Sequence, residues 1–224
     1  IGNVIANDGF QDETFTGATS VKQDDCIHSK DFTIRALLTP GHVSNHVCYL
    51  VEEDKILITG ACGFIGSHLA EMCIESGLDV VAFDRYNPNN HWGWLEESER
   101  RDEMEVVLGD IRDLDSVAKA IAGCDAVFHL AALIGIPYSY VSPLAYIRTN
   151  IEGTYNVLEA ARNNAVEQII VTSTSEVYGS AQYSPIDEMH PLVGQSPYAA
   201  TKIAADQLAL SYFRSFDSPV KIVR

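Results

Sequence analysis

The chain has 224 residues, 46% of them apolar, and carries 15 basic against 31 acidic side chains for a formal net charge of −16. That length suits one large domain or two small ones, and the apolar share can fill a real core. The acidic balance excludes general binding to nucleic acid or to an anionic membrane, whose phosphates such a surface repels. It still allows a bound dinucleotide, because backbone N–H groups at a helix N-terminus hold a pyrophosphate without a basic patch.

The five cysteines, Cys26, Cys48, Cys62, Cys73 and Cys124, are odd in number, scattered and free of any C-x-x-C pair. Neither a disulfide framework nor a thiolate zinc site is expected, and a reducing, cytoplasmic setting fits. No apolar run approaches the roughly 18 residues of a membrane span, and no signal peptide is visible. The chain begins at Ile1 rather than Met and stops at Arg224 directly after an apolar run. We expect both ends to be cut, with a C-terminal substrate region missing.

Taken in chain order, residues 1–54 offer a polar leader, then Ile34–Leu38, a Thr39-Pro40-Gly41-His42 turn, and Val47–Val51. This reads as two strands around a turn, a short β-rich extension that buries too little surface for a confident independent domain. From Lys55 the pattern alternates strand and helix. The predicted strands are Lys55–Thr59, Asp79–Phe83, Glu105–Leu108, Ala126–Leu130, Gln168–Thr172 and Val220–Val223. They are short runs rich in Val, Ile and Leu, as expected for strands covered on both faces. The predicted helices are Phe64–Ser76, Asp115–Ala122 with Asp113 as a candidate N-cap, Pro143–Asn163, and Tyr198–Phe213. Strands alternating with helices imply an α/β fold, a Rossmann-like doubly wound parallel sheet over residues 55–224.

The first strand runs into Gly60-x-x-Gly63-x-x-Gly66 and then a helix. Such a loop must turn tightly and let the backbone approach a pyrophosphate, which a Cβ would obstruct. A plain tight turn would read the same way. Asp84 ends the second strand, 18 residues after Gly66. A carboxylate there can accept from both ribose hydroxyls and would repel a 2′-phosphate, which favours NAD over NADP; Arg85, next in line, works against that preference.

Tyr198 and Lys202 share one helical face at i, i+4 spacing. A Lys ammonium beside a phenol is expected to lower its pKa, so that the phenolate can take a proton from a sugar hydroxyl. Thr172-Ser173-Thr174-Ser175-Glu176-Val177-Tyr178-Gly179 directly follows a strand. Open α/β sheets bind ligands at such strand ends, although a Ser/Thr-rich turn is the plain alternative.

With these motifs in order, together with Gly109-Asp110-Ile111-Arg112-Asp113, His129-Leu130-Ala131-Ala132 and Thr149-Asn150, residues 55–224 resemble the extended short-chain dehydrogenase/reductases. The resemblance implies bound NAD, with the pyrophosphate on Gly60, Gly63, Phe64, Ile65 and Gly66. Asp84 would hold the ribose, Asp110 and Ile111 would flank the adenine, and Ala131, Ala132 and Asn150 would line the cofactor channel. Thr174, Ser175, Glu176, Tyr198 and Lys202 would be the catalytic group, the last two also touching cofactor. Asn89–Trp94, Leu133–Tyr140 and Gly194–Tyr198 further resemble the UDP-N-acetylglucosamine 4,6-dehydratases of legionaminic-acid-type pathways. The implied reaction oxidises C4 with NAD while Tyr198 takes the 4-hydroxyl proton; Glu176 then takes the C5 proton, water leaves from C6, and hydride returns there. In glucose-type dehydratases an Asp precedes that Glu; Ser175 stands here instead, as it does in GDP-mannose dehydratases. A 4-epimerase and a catalytically silent NAD-binding module are the alternatives. The partners implied are a nucleotide-sugar and a second copy of the chain, through the Pro143–Asn163 and Tyr198–Phe213 helices. As given, the chain is expected to bind NAD without turning over sugar.

Thr39–Leu50 resembles a fragment of the metallo-β-lactamase-fold hydrolases, in which His42 would match a zinc ligand. Ala61 stands where that family has a ligating Asp, and the His-x-His-x-Asp-His cluster is missing. A catalytic zinc needs about three protein ligands, so no metal is expected and a zinc hydrolase is a remote alternative.

Overall fold

The computed structural model describes residues 26–28, 33–38, 47–51 and 55–224. In the first part, strand β2 (Thr33–Leu38) pairs antiparallel with β3 (Val47–Val51), Leu38 opposite Val47. This is the expected hairpin. Strand β1 (Cys26–His28), not foreseen, pairs on the other side of β2. The turn carrying His42 and His46 lies outside the described residues, and with it the expectation about zinc.

The second sheet holds six strands: β4 (Lys55–Thr59), β5 (Asp79–Arg85), β6 (Glu105–Gly109), β7 (Ala126–His129), β8 (Gln168–Thr172) and β9 (Val220–Val223). Every pair is parallel and the spatial order is β6-β5-β4-β7-β8-β9. All six were legible as apolar runs, with bounds moved by one or two residues at most.

Side-chain alternation divides the sheet between two cores. Ile56, Ile58, Val80, Ala82 and Phe128 face one side, where Leu69, Ala70 and Cys73 of α1 (Phe64–Glu75) cover them. Leu57, Val81, Phe83, Val127 and Ile169 face the other. There they meet α2 (Leu114–Ile121), α5 (Gly153–Asn163) and α6 (Pro197–Phe216) through residues such as Val117, Leu158 and Ala209. A parallel strand buried on both faces needs this continuous apolar content. Asp113 caps α2, accepting from Asp115 N–H at 3.1 Å.

One expectation needs correction. The stretch Pro143–Asn163 is not one regular α-helix. A short helix α3 (Ile136–Val141) precedes it, α4 spans only Pro143–Tyr146, and Ile147–Glu152 winds as π-helix before α5 resumes. The cause is tertiary: Asn150, within the wide turn, hydrogen-bonds the backbone of Leu133 in both directions. Among the described residues no helix is long and apolar enough to cross a membrane.

Candidate active site

The strand order reverses direction between β4 and β7, and an open parallel sheet leaves a crevice beyond its C-terminal edge at that point. The expected site residues all sit along this edge or on the helices above it.

After β4 the chain turns at Gly60, with φ +76°, and Gly60 N–H reaches Phe83 carbonyl at 2.8 Å. A Cβ on Gly60 would lie 2.9 Å from Ala131 N, and one on Gly66 only 2.2 Å from Gly60 O. The first and third glycines therefore let strand, loop and helix close on each other. Gly63 is exposed and begins α1, whose first turn has neither a side-chain cap nor an acid. The amides of Phe64, Ile65 and Gly66 precede the first bond of the helix ladder, Ser67 N–H to Gly63 carbonyl at 2.9 Å. They are the ready donors of this turn.

Asp84 braces the loop from the tip of β5. Its two oxygens accept from Cys62 N–H at 2.7 Å and Arg85 N–H at 2.6 Å. Burial, with Asp84 adding to it, pushes the Cys62 thiol up to about 12, so this cysteine stays a thiol. Beyond β6, Asp110 is clasped by the Arg112 guanidinium, Nε at 2.9 Å, which holds its carboxyl below the usual range. Ile111 turns inward, 6% exposed, against Gly153.

A segment that composition did not flag crosses the glycine turn. Trp94 N–H donates to Cys62 carbonyl at 3.0 Å, and its ring stands edge-on to Phe64 at 5.4 Å. Gly93 has φ +56° and its missing Cβ would meet Cys62 O at 2.4 Å. Asn89–Trp94 was visible in the sequence only as part of a resemblance.

Beyond β7, Ala131 N–H donates to Thr59 Oγ1 at 3.2 Å, and Ala131 and Ala132 are half-buried. Asn150, expected to line the cofactor channel, is 1% exposed and its amide is spent on protein. Besides Leu133 it gives Nδ2–H to Thr201 Oγ1 at 3.1 Å, so it fixes the loop after β7 rather than reaching out of it. Beneath it lies a buried histidine. His129 joins Thr59 Oγ1 (2.8 Å) to Thr154 Oγ1 (3.0 Å), and burial, with Lys202 nearby, pushes it down to about 3.

The chemistry-bearing side chains gather after β8. Thr174 caps the single turn Ser175–Tyr178, accepting from Glu176 N–H at 3.3 Å, and its hydroxyl acts on the phenol of Tyr198 to lower its pKa. Ser175 and Glu176 are exposed on that turn. Tyr198, 7% exposed, lies edge-on to the buried ring of Tyr146 at 6.3 Å. Lys202 Nζ donates to Thr172 carbonyl at 2.7 Å. The expectation that Lys202 lowers the phenol is not met. Burial pushes Tyr198 up, the Thr174 hydroxyl offsets this in part, and Glu176, Tyr146 and Asp206 add to the rise. The ammonium is committed to a carbonyl of β8, not to the phenol.

A glycine turn at the strand-order reversal, with Thr, Tyr and Lys gathered one strand beyond its neighbour, defines a Rossmann-like domain of the short-chain dehydrogenase/reductase class. The family model described as GDP-mannose 4,6 dehydratase matches residues 57–224, and the chain belongs to that family. It is 36% identical over 174 residues to a dTDP-glucose 4,6-dehydratase of Streptomyces antibioticus, covering 76% of this chain and 52% of that one. It is 36% identical over 184 residues to a CDP-paratose 2-epimerase of Salmonella typhi, at 72% and 54% coverage. Among solved structures it resembles DesIV, a dTDP-glucose 4,6-dehydratase from Streptomyces venezuelae with NAD and TYD bound. The TM-score is 0.69 at 32% identity, over 75% of this chain and 54% of that one. The chain spans about half the length of the curated relatives it matches. These relatives are nucleotide-sugar dehydratases and epimerases, and the exact activity is not common to them.

Proposed function

We propose that the protein is an NAD-dependent nucleotide-sugar 4,6-dehydratase. One observation carries the reading: a threonine hydroxyl, a phenol, an ammonium and an exposed carboxylate converge after β8, beside a glycine turn whose geometry admits a dinucleotide. The fit to NAD rests on the turn itself, where Gly66 leaves no room for a Cβ and the first-turn amides of α1 carry no side-chain cap. DesIV, similar in fold, was solved with NAD. When bound, NAD supplies the two-electron acceptor for oxidation at the sugar's C4 and the donor for C6.

The chain's residues then divide the work. Amides of Phe64, Ile65 and Gly66 bind pyrophosphate, with Gly60 and Gly63 keeping the approach open. The lone pairs that Asp84 does not give to backbone accept the ribose hydroxyls and repel a 2′-phosphate. Asp110 and the backbone of Ile111 border the adenine, and Ala131 and Ala132 wall the channel that Asn150 braces. Tyr198 takes the 4-hydroxyl proton, with the Thr174 hydroxyl donating to its oxygen and so favouring the phenolate. Lys202 holds positive charge beneath it. Glu176, exposed beside the phenol, takes the C5 proton once the 4-ketone has acidified it. A nucleotide-sugar of the UDP-N-acetylglucosamine or GDP-mannose kind is the proposed substrate. A dimer is proposed through α4, α5 and α6, which expose Leu144, Tyr155 and Phe213.

Ser175 favours a second reading. No acid precedes Glu176 to protonate a departing hydroxyl, and a 4-epimerase needs none. Solvent deuterium separates the two. In an active preparation Tyr198→Phe is expected to abolish 4-keto formation. Glu176→Gln should keep C4 oxidation and lose deuterium incorporation at C5. C4 oxidation without any C5 exchange in the unsubstituted enzyme would instead support the epimerase, whereas normal C5 exchange in Glu176→Gln would take the C5 base away from Glu176.

A further inference from the structure

Asp206 lies one helical turn beyond Lys202 and two beyond Tyr198 on α6, and it is wholly buried, 0% exposed. A carboxylate in that position is costly unless opposite charge and hydrogen bonds compensate it. Its Oδ2 takes both: Ser173 Oγ–H at 2.7 Å, Arg224 Nη2–H at 2.9 Å and Arg224 Nε–H at 3.3 Å. Its Oδ1 is buried with no hydrogen-bond partner among the described residues. Arg224 also donates to Tyr178 hydroxyl at 3.1 Å and lies over that ring at 5.3 Å. The carboxylate thus joins α6 to the ends of β8 and β9, at the residue before Thr174.

Lys202 has the complementary problem. It is 5% exposed, and its ammonium has one hydrogen bond among the described residues, to Thr172 carbonyl. A carbonyl dipole alone is poor compensation for a buried positive charge. The other titratable groups around it do not supply a counter-charge. His129 on β7 is neutral, Tyr198 on α6 is a phenol, Arg224 just beyond β9 is itself positive, and Glu176 stands exposed on the turn after β8. Asp206 is the carboxylate whose charge reaches Lys202 and works against the loss of its proton that burial favours.

We propose that Asp206 is a positioning residue of this site, the buried counter-charge of Lys202, braced between the strand ends by Ser173 and Arg224. Its importance for chemistry rests on the role proposed above for Lys202, but the electrostatic relation is testable without substrate or nucleotide. The arrangement makes opposite demands of two substitutions. Removing the negative charge in Asp206→Asn leaves the buried Lys202 ammonium without a carboxylate on its helix, so Lys202 must lose its proton at lower pH. Removing a positive charge in Arg224→Gln leaves Asp206 to Lys202 alone, so the proton must be held to higher pH. A structural brace without an electrostatic role would not give opposite signs.

The experiment follows the Lys202 side-chain amine by NMR in the whole chain with isotope-labelled lysine, assigned through Lys202→Met and titrated without NAD or sugar. The expected result is a titration midpoint lowered by about one pH unit or more in Asp206→Asn and raised in Arg224→Gln. Unchanged midpoints in both, or shifts of the same sign, would overturn the proposal. If Asp206→Asn does not fold, Arg224→Gln decides alone: a midpoint that fails to rise refutes it. Because the readout is the charge of Lys202 itself, the proposal can stand or fall independently of which sugar reaction the protein performs.

Discussion

His129 shows how much a single side chain can be fixed by hydroxyl bookkeeping. Thr154 gives its one hydroxyl proton to Asn150 carbonyl at 2.7 Å, so towards His129 it can only accept, and Nε2 must carry hydrogen. Nδ1 is then an acceptor and takes the Thr59 hydroxyl proton, while Thr59 oxygen accepts Ala131 N–H. Every member of this buried chain is satisfied only while the imidazole is neutral. A proton on Nδ1 would face another donor, which agrees with a value pushed down to about 3 from an ordinary 6.5 by burial and by Lys202. The linkage has a definite sign. Below about pH 6.5 the unfolded chain takes up a proton that the folded chain refuses until about pH 3, so this group makes stability fall as pH falls across that window. The slope approaches about 1.4 kcal/mol per pH unit. Urea unfolding of wild type and His129→Gln between pH 7 and pH 4 measures it. The variant is expected to be less stable at neutral pH, and the gap should narrow steadily towards acid; a constant gap would contradict a neutral buried imidazole. The glycine triplet, Tyr198 and Lys202 were legible because each is a residue type at a fixed spacing. His129 was visible only inside a motif, since its partners Thr59 and Thr154 are 70 and 25 residues away.

At the scale of elements, α6 is the one that brings the phenol and ammonium together, and its start decides where they point. Ser196 Oγ accepts Ala199 N–H at 3.0 Å, and Pro197 occupies the first turn, where its missing N–H costs nothing. The sequence placed the helix from Tyr198, two residues from the cap, because its apolar spacing begins there while the capping serine lies in a polar loop. Ser196→Ala is expected to cost about 1 kcal/mol of stability, the usual worth of an N-cap. Ser196→Asp should recover most of it. Chemical unfolding of the three proteins checks this, and equal stability of wild type and alanine variant would show that packing alone fixes the helix start. The π-helical turn at Ile147–Glu152 is the opposite case. Nothing in a local window distinguishes it from regular helix, because its cause is Leu133, 17 residues before Asn150. The apolar runs of the six strands were legible, since a doubly covered parallel strand is apolar throughout. Their order was not, because it depends on which crossovers pack, not on any run's composition.

For the whole molecule, the question is which residues the candidate site needs. The six-stranded sheet, both of its apolar cores and every contact described for the site lie within residues 55–224. The family match starts at residue 57. The β1-β2-β3 sheet forms its own set of pairings, all antiparallel, and shares no strand with the larger one. We therefore propose that residues 1–54 are dispensable for dinucleotide binding, and that whatever His42 contributes lies outside it. The described strand pairings and apolar clusters of the larger sheet are made among residues 55–224, and a domain of that length commonly folds alone. A protein starting at Glu53 should bind NAD within about threefold of the parent affinity, a difference below roughly 0.7 kcal/mol. His42→Ala in the full chain should bind NAD unchanged. Isothermal titration of the three proteins with NAD, and with NADP as the weaker ligand expected from Asp84, tests both statements. Loss of NAD binding on removing residues 1–52, with the remainder still folded by circular dichroism, would mean that the hairpin completes the site and that the boundary near Lys55 is misplaced.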